Sequence, residues 1–320
     1  MRLVLGLAAA ALVAIVAACF LGSIPLPADR LLAALIGQGS PGDTIVVWAI
    51  RLPRALAAFL AGAALGASGA ALQGLLRNPL AEPGVLGVSA CAALAASVAL
   101  YFGWTGAVSL TATGGALAAT ALIASAAVRT HSVTTLILIG VGLSSFAGAL
   151  MALLLNLAPN PFTLADLINW TLGSVANRSL IDIAQASPML AIGFALLLWA
   201  RRGLWALTLG EEAAAGVGLD LARLRLAVVL GAGAATGASV ALAGAIGFVG
   251  IVAPHLVRPW TGHDPGRSLV PSALLAGLML VVADIGVRLI PTTGELRLGV
   301  VAALVGAPLF VLIAARRRGI

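Results

Sequence analysis

Lysine is absent from this chain of 320 residues, so all 18 of its basic side chains are arginines. A P-loop nucleotide site needs a lysine that reaches the phosphates, and Schiff-base chemistry needs a lysine amine. The sequence therefore excludes a P-loop nucleotide site and Schiff-base chemistry on a lysine of this chain. Energy for any work that the protein does must come from a partner chain or from an ion gradient.

Charge of either sign is scarce, because only 9% of the residues are charged while 61% are hydrophobic. Soluble domains carry about 25% charged residues, and a soluble core of this size could not hide so much apolar surface. The 38 glycines fit closely packed membrane helices. The arginines are scattered rather than clustered with aromatic residues, which argues against nucleic-acid binding. The composition predicts an all-α integral membrane protein in contact with the lipid bilayer.

Metal-ligating and redox-active residues are also few. Cys19 and Cys91 lie inside apolar runs without the spacing of a disulfide or a metal site, and His255 and His263 do not form a metal box. We therefore expect no metal site and no cofactor in this chain.

Runs of roughly 20 residues that are nearly free of charge predict about ten transmembrane helices in a single domain, residues 1–320. The runs are Leu3–Pro25, Ala55–Leu76, two within Pro83–Val128 on either side of Tyr101–Gly106, Ser132–Leu157, Ile183–Ala200, Leu226–Ala245, Phe248–Trp260, Ser268–Ile290 and Leu298–Ala315. The eighth run is only a short piece, shortened by Gly247, Gly250 and Pro254, and the eighth and ninth are the least distinct. A cleaved signal peptide is the weaker alternative for the first run.

The distribution of arginines predicts the orientation, since basic residues collect on the cytoplasmic side. With the N-terminus inside, twelve arginines are cytoplasmic and six are external. An even number of spans then places both termini in the cytoplasm. We name the two ends of each span inner and outer after this prediction.

Two similar segments indicate an internal repeat. "GAALGASGAALQG" begins at Gly62, and "GAATGASVALAGA" begins at Gly233, 171 residues later, with six of the first seven residues identical. Five spans separate the copies, so they run in opposite directions, as in the inverted repeats of transporters. This predicts related halves, spans 2–5 and spans 7–10. Chance similarity in a chain rich in alanine and glycine is the alternative.

Small residues recur at every fourth position in both copies and form stripes for close helix contact. The first copy also reads GxSG around Ser68, the motif of an intramembrane serine protease. A nucleophile of that kind needs a base within hydrogen-bond reach, and all three histidines lie near the inner side. We therefore prefer helix packing and keep the protease as a remote alternative.

The loop between spans 6 and 7, residues 203–225, is polar and contains "LGEEAAAGVGLD". Gly216 and Gly218 are expected to end a short helix there. The spacing of Glu212, Ala213, Ala214 and Gly218 fits the EAA-x-x-x-G pattern with which membrane subunits of ABC importers dock their ATPases. An ordinary amphipathic loop helix is the alternative.

Three arginines mark the outer side. Arg51 and Arg54 stand in "RLPR" before span 2, and Arg288 ends span 9 four residues after Asp284. Arginine captures carboxylates through paired hydrogen bonds, so an acidic external partner is one interpretation. The alternatives are interfacial snorkelling and a simple pair between Asp284 and Arg288.

A dense group of helix breakers, "RNPLAEPG", follows span 2. Proline disfavours helix at the residue before it, so Asn78 and Glu82 are expected outside helices. Asn78–Pro79 should end span 2, and Glu82–Pro83 should begin span 3, with Gly84 next. We interpret the cluster as a turn at the inner membrane face rather than as a catalytic site.

Taken in order along the chain, "RLPRALAAFLAGAALGASGAALQGLLRNPLAEPGVLGVSA", "LGEEAAAGVGLD", "ALAGAIGFVGIVAPHLVRPWTGHDPGR" and "TTGELRLGVVAALVGAPLFVL" resemble the FecCD-type permeases. These are membrane subunits of type II ABC importers for iron-siderophores, haem and cobalamin. Cys91 departs from the glycine usual in the family after "GVSA", and we expect only a local adjustment there.

The resemblance implies ten spans, a dimer of two permease copies, and a location in the bacterial inner membrane. It implies two cytoplasmic ABC ATPase subunits, which use ATP and Mg²⁺ and contact Glu211, Glu212, Ala213, Ala214 and Gly218. It implies a periplasmic substrate-binding protein that docks on Arg51, Arg54 and Arg288. Spans 2 and 5 would line the pathway, and a cytoplasmic gate would lie at His131, Ser132, Val133, Thr134 and Thr135.

A membrane-spanning permease that carries out no chemistry itself is therefore the expected function. A ferric siderophore is the first expected substrate, and cobalamin and haem follow. An ion-coupled secondary transporter is the remote alternative. It would require carboxylates in the span interiors, which are nearly free of them.

Overall fold

A computed structural model describes residues 1–22, 26–129, 132–290 and 295–316, and within these ranges the chain is helical without any β-strand. The described residues form fourteen α-helices joined by short 3₁₀ and π segments. They are α1 (Arg2–Phe20), α2 (Ala28–Leu35), α3 (Pro41–Ile45), α4 (Leu52–Leu75), α5 (Val88–Tyr101), α6 (Val108–Arg129), α7 (Val133–Asn156), α8 (Pro161–Thr171), α9 (Leu180–Ala206), α10 (Glu211–Gly216), α11 (Leu221–Ala243), α12 (Val249–Val257), α13 (Pro265–Leu289) and α14 (Leu298–Arg316).

Seven helical segments of the described chain are long and apolar enough to cross a bilayer, judged by length and composition. They contain the predicted spans 1, 2, 4, 5, 6, 7 and 9. The segments are Arg2–Phe20, Pro41–Leu75, Thr105–Arg129, Thr134–Asn156, Leu180–Leu209, Leu221–Ala243 and Pro265–Leu289. A multi-pass membrane protein is therefore confirmed.

The three remaining spans correspond to α5, α12 and α14. Helix α12 has only nine residues, too few to cross a bilayer at 1.5 Å per residue. Its first turn lies directly against α4. A Cβ atom added to Gly69 of α4 would lie only 1.9 Å from the carbonyl oxygen of Gly250. The predicted eighth span is thus a partial span, and the short outer helices α2 and α8 were not predicted.

Helices α4 and α11, which carry the two repeat segments, occupy the centre of the bundle. Most of their residues are buried by the chain's own helices. Alanine and glycine dominate both helices, so the neighbouring backbones approach closely without a side-chain barrier. Helix α4 is thus mostly buried within the chain whereas α7 is largely exposed, and the lining of a pathway by spans 2 and 5 stays a prediction.

Two reciprocal hydrogen bonds show that the repeat is real and inverted. The Ser68 hydroxyl donates to the carbonyl of Ala232 at 3.4 Å, and the Ser239 hydroxyl donates to the carbonyl of Ala61 at 3.1 Å. Each residue of the second bond lies 171 positions from its counterpart in the first. Such a cross-wise pattern arises only if α4 and α11 run antiparallel about a local two-fold axis.

The small-residue stripes face equivalent helices in the two halves. A Cβ atom on Gly66 of α4 would lie 2.3 Å from the carbonyl oxygen of Ser272 in α13, and one on Gly237 of α11 would lie 2.4 Å from Cβ of Ala116 in α6. Each repeat helix therefore packs its stripe on the third span of the opposite half. This contact confirms the predicted role of the stripes and interlocks the halves.

Candidate functional site

Two of the three arginines predicted at the outer face, Arg54 and Arg288, meet at Asp284. The Arg54 guanidinium donates to the Asp284 carboxylate from Nε at 3.0 Å and from Nη2 at 2.8 Å, and also contacts Glu295. The Nε atom of Arg288 lies 3.2 Å from the same carboxylate, so the pair one helical turn apart, which the sequence analysis gave as an alternative, is present. Asp284 is only 1% exposed, so this is a buried ion-pair network that joins α4 to α13.

Arg51 and Arg288 also bind the end of α1. Nη1 of Arg51 donates to the carbonyl oxygens of Cys19 and Phe20, and Nη1 of Arg288 donates to those of Ala18 and Leu21. The last carbonyls of a helix lack partners within the helix and carry its negative dipole, so both arginines stabilise this end. The structure thus gives them internal partners, and docking of an acidic protein on them stays a prediction.

The segment after span 2 is a turn, as predicted. The α-helix of span 3 begins later than expected. Helix α4 ends at Leu75, and the Asn78 side chain accepts the N–H of Leu80 at 2.9 Å in a local turn. Pro83 starts a short 3₁₀ segment, Pro83–Leu86. Helix α5 starts only at Val88, after Gly87 in the left-handed conformation, φ +74°. Pro83 is therefore the first helical residue, as predicted, but the spanning α-helix begins only five residues later.

Glu82 has a partner that local sequence could not reveal. Its side chain does not cap the segment that follows, and one carboxylate oxygen instead accepts the N–H of Phe248 at 3.3 Å. Phe248 precedes α12 with φ +66°, a conformation that is costly for a bulky residue. Burial raises the pKa of the Glu82 carboxyl, and the Phe248 N–H opposes this effect. The turn of the first half is thereby tied to the start of α12 in the second.

The predicted gate segment lies at the turn between α6 and α7. His131 falls outside the described residues, as does the side chain of Val133. Ser132 is the N-cap of α7, and its hydroxyl accepts the N–H of Thr135 at 3.3 Å, while Thr134 is exposed. The segment is thus placed between two spans, and its gating role stays a prediction.

The predicted coupling segment forms the helix α10, which ends at Gly216 as expected. Glu212 and Ala213 are exposed, Ala214 is buried, and Gly218 follows with φ +88°. Glu211 instead points inward and pairs with the buried Arg225 of α11 at 2.9 Å. The two glutamates therefore differ: one attaches the helix to α11, and the other lies on its free surface.

The arrangement around Ser68 excludes protease chemistry at this residue. Ser68 is fully buried, and its hydroxyl is occupied by the Ala232 carbonyl rather than by a base. Among the described residues no cluster of three or more His, Cys, Asp or Glu could hold a metal ion.

Comparisons with known proteins agree with this architecture. The family model described as the FecCD transport family matches residues 10–316. The chain is 38% identical over 313 residues to the uncharacterized ABC transporter permease protein YvrB of Bacillus subtilis (strain 168), covering 92% of this chain and 87% of that protein. It is 42% identical over 282 residues to the vitamin B12 import system permease protein BtuC of Escherichia coli O157:H7, covering 85% and 84%.

A solved structure described as a metal-chelate type ABC transporter in an inward-facing conformation superposes with a TM-score of 0.89 at 28% identity, covering 98% of this chain and 99% of that chain. The apolar helices and these relatives identify a multi-pass protein of the bacterial inner membrane. The chain belongs to the FecCD transport family and is an ABC importer permease.

Proposed function

We propose that this permease imports vitamin B12, with a ferric siderophore as the second candidate and haem as the third. The 42% identity to a vitamin B12 import permease over most of both chains supports the first choice. The likeness to a metal-chelate transporter, at 28% identity, fits either of the first two. The order differs from the sequence expectation because the relatives add information on the substrate that composition does not carry.

Uptake by a reconstituted assembly tests the substrate. Proteoliposomes with this chain, its cognate ATPases and its binding protein should accumulate radiolabelled cyanocobalamin only when ATP is enclosed. Uptake of a ferric hydroxamate, without uptake of cyanocobalamin, would make the siderophore the substrate. Accumulation by the chain without the ATPases would refute the ABC mechanism itself.

We infer a homodimer in which α7 contributes to the contact between the copies. Leu138 and Phe146 are 65% and 64% exposed, and few residues of α7 are buried within the chain. Single cysteines at Phe146 should therefore cross-link two copies in native membranes. Leu122→Cys on the exposed face of α6 is the control. Equal cross-linking at both positions would contradict this arrangement.

The exposed part of α10 is the proposed contact with the cytoplasmic ATPases. Both termini of the chain are proposed to lie on the same, cytoplasmic side of the membrane. Glu212→Arg reverses a charge on the free surface, so we expect ATP hydrolysis that no longer drives uptake. Glu211→Gln should lower stability instead, because it removes the partner of the buried Arg225. Asp29→Arg, an exposed reversal at the outer end, is the matched control. Normal coupling in Glu212→Arg would rule out the contact.

The outer arginines are the proposed docking point for the binding protein. Arg54 is the residue to test. Its partner Glu295 is partly exposed, so an acidic side chain of the binding protein could replace Glu295 in the pair. Arg54→Gln should weaken the affinity of the binding protein measured in detergent, with the unfolding midpoint recorded in parallel. A lower midpoint with unchanged affinity would show that the arginine network is structural only.

A further inference from the structure

An apolar groove runs along the surface of the bundle between α4, α9 and α13. Its cavity volume is about 240 Å³, and every side chain that lines it is apolar. Phe59 and Leu60 of α4 form one wall, Phe194 and Leu198 of α9 another, and Val270 of α13 the third. The groove is thus a crevice between three membrane-spanning helices rather than a flat surface facing lipid.

A basic pocket lies at the inner end of this groove. It is lined by Arg201, Arg202 and Trp205 of α9 and by Arg267 at the start of α13. Arg202 follows the groove residue Leu198 by four positions, and Arg267 precedes Val270 by three, so each arginine lies one helical turn beyond the apolar lining. The groove and the pocket are therefore consecutive along the same two helices.

The pocket keeps an excess of positive charge. Its single carboxylate, Asp264, lies 3.2 Å from Arg267 and also accepts the backbone N–H groups of Gly266 and Arg267 as the N-cap of α13. Arg201 and Arg202 are exposed, and no carboxylate in the described part of the chain forms an ion pair with either. Three guanidinium groups thus face one carboxylate, which is already engaged.

We propose that this groove binds one phospholipid with an anionic headgroup. The headgroup phosphate accepts hydrogen bonds from the arginines, whose planar donors match phosphate oxygens. An acyl chain lies between α9 and α13. Basic pockets between transmembrane helices on the cytoplasmic side are suited to anionic lipids. Trp205 lies in the last turn of α9, and tryptophan is enriched at such interfacial helix ends.

The length of the groove agrees with such an occupant. From Arg267 to Leu274, α13 rises by about 10 Å, which covers much of the roughly 15 Å that one leaflet contributes to the hydrocarbon core. A soluble anion would leave the apolar part empty, and a zwitterionic lipid would leave the charge excess uncompensated. The combination selects a lipid that carries a net negative charge.

Native mass spectrometry of the purified full-length chain tests the headgroup contact. After incubation with equal amounts of phosphatidylglycerol and phosphatidylethanolamine, the protein should retain one phosphatidylglycerol. Arg202→Gln with Arg267→Gln should lower its apparent affinity about thirtyfold, the effect of two arginines on an anionic lipid. Arg129→Gln with Arg223→Gln removes the same charge from the same end outside the groove, and should change it little. Equal loss in both double variants would overturn the proposal.

A second pair of variants tests the acyl chain. Ala273→Phe places a ring in the groove and should abolish retention, whereas Ala195→Phe adds the same ring to an exposed position of α9 outside it. Unfolding midpoints confirm that both variants are folded. Retention of phosphatidylglycerol by Ala273→Phe, its displacement by inorganic phosphate alone, or equal retention of both lipids would each refute a lipid site.

Discussion

Asp284→Asn should destabilise this protein far more than the same change at the surface. The carboxylate is 1% exposed and pairs with Arg54 at 2.8 Å and with Arg288 at 3.2 Å. Removing one partner of a buried ion pair leaves uncompensated charge and costs about 3–5 kcal/mol. Here Arg54 would keep Glu295 as its carboxylate partner, and Arg288 would keep only backbone carbonyl oxygens, chiefly those at the end of α1, so we expect a loss at the upper end of that range.

Asp220→Asn is the matched control. Asp220 lies 3.0 Å from Arg223, with side chains 50% and 80% exposed, and exposed pairs contribute about 1 kcal/mol or less. Asp220 also caps α11 by accepting the N–H of Arg223, and asparagine caps a helix equally well. The control therefore removes an ion pair while it preserves the cap.

Unfolding in mixed micelles with a rising fraction of dodecyl sulfate, followed by circular dichroism, measures both changes. Arg54→Gln combined with Asp284→Asn should cost less than the sum of the single changes, since the two residues share one contact. A loss below about 1 kcal/mol for Asp284→Asn, equal to that of the control, would refute the reasoning about the buried network.

Three further predictions follow from close contacts. Gly69→Ala should cost about 1–3 kcal/mol by overpacking, since its Cβ atom would lie 1.9 Å from a backbone oxygen, whereas Gly114→Ala meets nothing within 4 Å and should be neutral. Ser239→Ala should cost about 0.6 kcal/mol, typical of one hydrogen bond between membrane helices, and a cost near zero would show that the bond contributes nothing. Glu82 has a pKa raised above its ordinary value of 4.5, so the folded state binds that proton more tightly than the unfolded state. The protonated Glu82 carboxyl therefore contributes to the free energy of unfolding at low pH, and this contribution declines as the pH rises above about 4.5. Unfolding followed over a range of pH should show this decline in the unaltered protein and not in Glu82→Gln.

Some features of the candidate site could be read from the sequence because they depend on local composition. The segments around Gly62 and Gly233 share a four-residue spacing of small residues, and that spacing alone creates one smooth helix face. The end of α10 at Gly216 follows from the same local logic. The partners of these faces, α13 for one and α6 for the other, could not be read, since a small residue does not specify what packs on it.

Partner choice among polar residues was also beyond the sequence. Arg54 and Asp284 are 230 positions apart, and Glu82 and Phe248 are 166 apart. A rule based on neighbouring residues instead assigned Glu82 to a helix cap and Arg51 to the outer surface. Glu82 instead accepts the N–H of Phe248, and Arg51 donates to the end of α1. A buried polar group must form hydrogen bonds with whichever groups the packing brings near it.

The sequence by itself determined that this is a multi-pass helical membrane protein, since apolar runs need no knowledge of contacts. It also predicted the related halves, but it left chance similarity open as the alternative. Only the tertiary structure decided how those halves interlock, because Ser68 and Ser239 meet carbonyls of the opposite repeat helix. It alone showed that the short helix α12 begins against α4 and that Arg51 and Arg288 bind the end of α1. These outcomes depend on which distant groups the folded chain brings within hydrogen-bond distance, and no local pattern encodes that distance.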